Sequence, residues 1–326
     1  MRAKTSRCAS LAVLLLASLS LAAAGEERIH LVPKFTPGDT LRYRIETRLA
    51  TAGKATSPIE NPEGATQLKQ TVSMVVRLDV LAPPAGGTQP AGSVRLRATY
   101  EQASATSETD AYDPQAAALE DQYNRLEGHS IDFTIEPDGK VMDIKGLEEI
   151  LPNPSAAQNV RSFISGLSSG AKFPKAGVSI GQKWSNEQPL TGTPLANLVS
   201  HTEATYLSNE PCHGGSQPAA GAPPAPASIE MCAVILTRTE ILRRGGDSTP
   251  EDYRHNGLRT SGTWTGSGES LDSISLSTGL VVSSTQTSSQ EMDFEVTSAS
   301  SGSRMTYKGH VHSESEITLM PPAPPT

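Results

Sequence analysis

Leu41-Arg-Tyr-Arg-Ile-Glu-Thr-Arg-Leu49 decides the fold class. In an extended chain Leu41, Tyr43, Ile45 and Leu49 point one way, while Arg42, Arg44, Glu46 and Arg48 point the other. That is a half-buried strand with one wet face. The same period-two pattern recurs at 70–81 (Val72, Met74, Val76, Leu78, Val80), 93–101 (Val94, Leu96, Ala98), 130–135 (Ile131, Phe133, Ile135), 229–242 and 303–319. Glu136-Pro137-Asp138-Gly139-Lys140, between Ile135 and Val141, reads as a hairpin turn. Antiparallel β structure follows, because one-sided alternation marks strands with a buried and a solvated face.

Helical signals are few. Asp113 to Leu126 has an N-cap Asp113, Pro114 at the first helical position, and Leu119, Tyr123 and Leu126 on one side. Ser155 to Leu167 carries Val160, Phe163, Ile164 and Leu167 at helical spacing, and Lys145 to Leu151 predicts a short helical turn before Pro152. These one or two short helices are expected to cover a sheet edge or face.

An internal similarity organises the chain further. At an offset of 140, Gly128 to Met142 aligns without a gap on Gly268 to Val282, matching Asp132 to Asp272 and Gly139 to Gly279, and Val94–Thr99 meets Val234–Thr239. At an offset of 143, Pro37–Leu41 meets Ile180–Trp184. Pro/Ala/Gly-rich loops at 82–92 and 216–228 precede equivalent strands. The expected architecture is therefore mainly β: two similar antiparallel curved sheets as a tandem repeat, residues 25–176 with the helical insert and residues 177–320, followed by a Pro-rich tail at 321–326.

Residues 1–24 read as a secretory signal peptide. Arg2, Lys4 and Arg7 precede the apolar run Leu11–Leu21, and Ala22-Ala23-Ala24 precedes Gly25-Glu26-Glu27, so cleavage is expected after Ala24. The apolar run is too short to span a bilayer, so no transmembrane span is expected after cleavage. The formal charge of −8, from 27 Lys+Arg and 35 Asp+Glu, becomes −11. An acidic chain without a basic run excludes nucleic acid as a natural partner. Cys8 leaves with the signal peptide. In an oxidising compartment, periplasmic or extracellular, Cys212 and Cys232 are expected to pair. A zinc site built from both thiolates and His213 is the rival reading, but it lacks the usual paired C-x-x-C spacing.

Chemistry-bearing patterns are sparse. No nucleophile elbow, H-E-x-x-H, Walker loop or dinucleotide fingerprint occurs. No cofactor is expected. His310, His312, Glu314 and Glu316 share one face of a strand and form the sharpest metal candidate, against the plainer reading of a solvated face. Asp132 and Asp272 could act as paired carboxylates, but beside Ile131 and Leu271 they read as outward positions. His129 and His201 are isolated. Trp184 and Trp264 are candidates for a ligand platform or for core plugs; with 2 Trp, 5 Phe and 7 Tyr in all, the chain is poor in the aromatics that sugar-binding surfaces use.

The opening segment Pro33-x-Phe35-x-x-Gly38-Asp39-x-Leu41-x-Tyr43, the hairpin Phe133 to Val141, and Phe173-Pro174, Val178, Gly181 and Trp184 resemble an uncharacterised family of bacterial secreted and lipoprotein β-rich domains of unknown function. The resemblance covers most of the mature chain and implies no catalytic residues. Many members look like lipoproteins, whereas here the only early cysteine, Cys8, precedes the apolar run.

Three functions follow as expectations. The first is a non-catalytic envelope protein acting as a binding or interaction module for an unknown envelope protein. The second is a periplasmic carrier holding a lipid or other hydrophobic small molecule in a curved-sheet cavity. The third is an unfamiliar hydrolase or metal-binding protein.

Overall fold

The computed structural model describes residues 28–56, 66–82, 92–137, 140–151, 160, 164, 173–212, 230–246 and 248–321. The expected signal peptide, the Pro-rich stretches 83–91 and 216–228, His213, the tail beyond 321 and most of the helix expected at 155–167 lie outside them.

Eleven strands form one antiparallel sheet, curved but not closed. They are β1 (Thr40–Thr56), β2 (Gln67–Leu81), β3 (Val94–Thr109), β4 (Ser130–Ile135), β5 (Val141–Lys145), β6 (Lys183–Pro189), β7 (Leu198–Pro211), β8 (Met231–Arg243), β9 (Leu258–Ser275), β10 (Val281–Ser298) and β11 (Arg304–Leu319). The helices are α1 (Pro114–Asn124), α2 (Leu147–Ile150) and α3 (Glu251–His255). In space the strands run β5-β4-β3-β2-β1-β11-β10-β9-β8-β7-β6.

This order corrects the expectation of two sheets. β11 pairs with β1 along its length, from Tyr43 opposite Leu319 to Thr56 opposite Thr306, and with β10 on its other side. One sheet therefore runs unbroken through both halves. The turns that precede β1 and β6 do share a local geometry. Gly38 N–H donates to the Val80 carbonyl at 2.9 Å and Gly181 N–H to the Tyr206 carbonyl at 2.7 Å, with both glycines at positive φ.

The alignment at offset 140, however, superposes opposite faces. Asp132 lies on the convex side with Arg95 and Arg97, whereas Asp272 lines the concave side. Leu96 is fully buried while its counterpart Leu236 is only half-buried. An odd slip between two strands reverses every side chain, and Ser/Thr-rich segments carry too little apolar phase to reveal it.

The concave side holds the core. One cluster packs Tyr43, Leu78, Leu96, Tyr100, Ile131 and Phe133 against Tyr123 and Leu126 of the α1 region, Leu147, Leu151, Val160 and Ile164. A smaller one gathers Leu31, Val178, Tyr206, Ala233, Ile235 and Ile274 at the other end. Because β5 and β6 are opposite edges of the sheet, the chain from 146 to 182 must pass from one to the other. Its described residues Leu147, Leu151, Val160 and Ile164 are buried as it does so. The described residues of the three helical signals thus share one use, since Tyr123, Leu126, Leu147, Leu151, Val160 and Ile164 are all buried in the main cluster.

α1 also protects an exposed strand. On its outer side β3 is paired with β4 over Val94–Thr99 alone. Beyond that, Asn124 Oδ1 accepts from Ala105 N–H at 2.8 Å and Glu120 Oε2 from Ser107 N–H at 2.9 Å. Helix side chains replace the missing strand and satisfy backbone donors that would otherwise invite edge pairing.

Cys212 and Cys232 form the expected disulfide, with Cα atoms 5.0 Å apart, at the loop end of the β7–β8 hairpin. A closed loop of this length stabilises by roughly 3 kcal/mol in the chain-entropy model. The double variant Cys212→Ser/Cys232→Ser is expected to lower the urea-unfolding free energy by about that amount. An unchanged midpoint would show that the closure contributes nothing.

Candidate functional site

The concave face encloses a cavity of about 560 Å³, within the range typical of small-molecule sites. Its position follows from strand phase. Odd residues of β1 (Ile45, Thr47, Leu49) and β11 (Ser315, Ile317) and even residues of β2 (Gln70, Val72, Met74) point inward and meet Tyr100 of β3, Tyr123 of α1 and Val160. This wall is largely apolar. The facing wall comes from Asn186 and Gln188 of β6, Ser200 and Thr202 of β7, Thr237 and Thr239 of β8, Ser270 and Asp272 of β9, and Ser284 and Gln286 of β10. It is mainly a surface of hydroxyls and amides, to which Trp184, Ala204, Ile274 and Val281 add apolar area.

The two walls have different electrostatic character from the convex side. There, several carboxylates are paired: Asp132 with Arg97 at 2.7 Å and Arg95 at 3.3 Å, Glu187 with Arg244 at 2.7 Å, and Glu101 with Arg42 and Arg77. The Arg97 hydrogen bond holds the Asp132 carboxyl below the usual range, and Arg244 does the same for Glu187. In the cavity, Asp272 is the sole ionisable acid or base apart from the two tyrosine phenols, among the described residues. It accepts from Ser284 Oγ at 2.5 Å and from Ser270 Oγ at 3.3 Å and forms no ion pair among them.

Tyr100 is the second unusual group. It is 1% exposed, burial drives its hydroxyl pKa well above the ordinary phenol range, and its Oη has no hydrogen-bond partner among the described residues. A buried hydroxyl normally finds one.

Of the two tryptophans, the structure brings only Trp184 to the cavity, where its ring packs tilted against Phe173 at 5.5 Å. Trp264 lies elsewhere on the concave face, its Nε1–H donating to Gln290 Oε1 at 3.1 Å. The two do not form one platform. His310, His312, Glu314 and Glu316 lie on the convex face. His312 is hydrogen-bonded to Ser289 at 3.0 Å and lies 3.5 Å from Glu314, and no cluster of metal-ligating side chains occurs among the described residues. His129 and His201 are convex or loop residues, the latter 3.6 Å from Glu187. Asp272, read from sequence as outward beside Leu271, points inward; Leu271 is the exposed one. Sequence reasoning also missed Tyr100 and Gln70. Tyr100 was legible in principle, continuing the buried phase of Leu96 and Ala98.

No family model matches the chain and no curated protein matches it. Among solved structures, lipovitellin in a study of its lipid–protein interactions is 12% identical, with a TM-score of 0.44, over 90% of this chain and 27% of that one. An outer membrane channel from Pseudomonas putida F1 is 7% identical, with a TM-score of 0.19, over 89% of this chain and 98% of that one. The chain thus spans about a quarter of the lipovitellin polypeptide, and at these scores the likeness does not establish a common fold.

Proposed function

We propose that this is an exported, non-catalytic binding protein that carries a hydrophobic or amphipathic small molecule in the hollow of its sheet. The observation that carries this reading is the cavity itself, with an apolar wall on β1–β3 and a hydroxyl and amide wall on β6–β10. A module built only to contact another protein would gain from a filled core, since empty volume between packed walls forfeits dispersion contacts. The disulfide and the absence of any helix long and apolar enough to cross a membrane among the described residues are compatible with export.

The test is to purify the chain from Gly25 onward without denaturant, extract it with organic solvent, and titrate it with the neutral dye N-phenyl-1-naphthylamine. A reproducible extracted amphiphile and saturable dye binding are expected, and Thr202→Trp, which fills the polar wall, should abolish both. An empty chain whose dye binding is indifferent to Thr202→Trp would sink the proposal.

A further inference from the structure

We infer that the cavity selects amphiphiles bearing a cationic nitrogen, an amine or quaternary ammonium, with Asp272 as its counter-ion. This rests on the binding reading above and adds the chemical class of the ligand. Among the described residues the cavity offers a single carboxylate, on the polar wall, and no Lys, Arg or His. Two other half-buried carboxylates, Asp132 and Glu101, are neutralised by arginine. Asp272 instead has Ser284 and Ser270, which each donate to one of its oxygens and so orient the group without cancelling its charge. A half-buried negative charge with no ion pair among the described residues, in a hollow with one apolar wall, attracts a cation more strongly than it would in water, because the local dielectric is lower. The net charge of the chain favours the same sign of ligand on approach.

Tyr100 is an independent sign that the space is completed by a ligand. Its hydroxyl is buried, lines the same cavity and lacks a partner among the described residues, so an occupant with a hydrogen-bonding group within its reach would satisfy it. The ligand inferred is therefore apolar along the β1–β3 wall and cationic at β9.

Three probes of equal chain length separate the possibilities: dodecylamine, 1-dodecanol and dodecanoate, each displacing N-phenyl-1-naphthylamine below its micelle concentration. A hydrogen bond to a charged group contributes enough for dodecylamine to bind about 10- to 100-fold more tightly than dodecanol. Dodecanoate should be the weakest of the three. Asp272→Asn, which keeps shape and hydrogen bonding, should remove the preference for the amine and leave dodecanol unchanged; Asp272→Ser serves if the first variant does not fold. Equal affinities for amine and alcohol in the native chain, or a preference that survives both substitutions, overturn the counter-ion role while the binding reading stands. If no probe displaces the dye and Thr202→Trp has no effect on it, both fail.

Discussion

Phe133→Ala is expected to lower the free energy of unfolding by about 3–5 kcal/mol, among the largest effects of any single substitution in this chain. Phe133 is 1% exposed and opposes Leu96 across the β3–β4 ladder, in the cluster that also holds Ile131, Leu126 and Leu147. Its ring therefore joins the sheet to the segments that cover it. Removing the ring takes away transfer free energy and leaves a hole that neighbours on a paired strand cannot collapse into. Urea unfolding should show a lower midpoint with the slope retained. Phe133→Leu should recover most of the loss, and a change below about 1 kcal/mol for alanine would mean that the covering segments do not bear on β4.

Gly279→Ala is the second, at about 2–4 kcal/mol. Gly279 closes the turn between β9 and β10 at φ +69°, and an added Cβ would lie 2.2 Å from the Val32 carbonyl oxygen. The N-terminal segment crosses this turn closely. Lys34 N–H donates to the Thr278 carbonyl at 2.7 Å, Lys34 Nζ to the Ser277 carbonyl at 2.9 Å, and Leu31 is buried in the smaller cluster. A methyl group at Gly279 must displace that strap as well as strain the turn. Gly302 separates the two costs, since it has the same φ with nothing within 4 Å of the added carbon. Gly302→Ala should lose only the left-handed penalty of about 1–2 kcal/mol. If the two variants melt together, the strap contributes nothing. Faster proteolysis near residue 32 in Gly279→Ala alone would confirm its release.

The readable parts of this molecule are those where the apolar phase is strong. β1, β2, β4 and the start of β3 alternate cleanly because one face packs on the main cluster, and α1 was marked by Asp113 and Pro114, with Asp113 Oδ1 accepting from Ala116 N–H at 3.2 Å. β9 and β10 were much fainter. Beside the cavity their inward residues are mostly small or polar, as at Gly266, Gly268, Ser270, Asp272, Ser284 and Gln286, and their outward ones, Leu271 apart, are polar too, so neither face declares itself. These strands are held by ladders and by hydroxyl pairs such as Ser288 with Ser313. The weak alternation reflects their place beside a hollow, where inward side chains have no core to enter.

Composition and periodicity alone were enough to establish antiparallel strands, the helices at Pro114–Asn124 and Leu147–Ile150 and the pairing of Cys212 with Cys232, because each depends on short-range pattern or on a count. Only the tertiary structure decided that there is one sheet, that Asp272 faces inward and that the two tryptophans are apart. Those outcomes depend on β1 meeting β11 across more than two hundred residues of chain and on strand register. A shift of one residue in register exchanges the two faces of a strand, and no local feature of a serine-rich sequence encodes it.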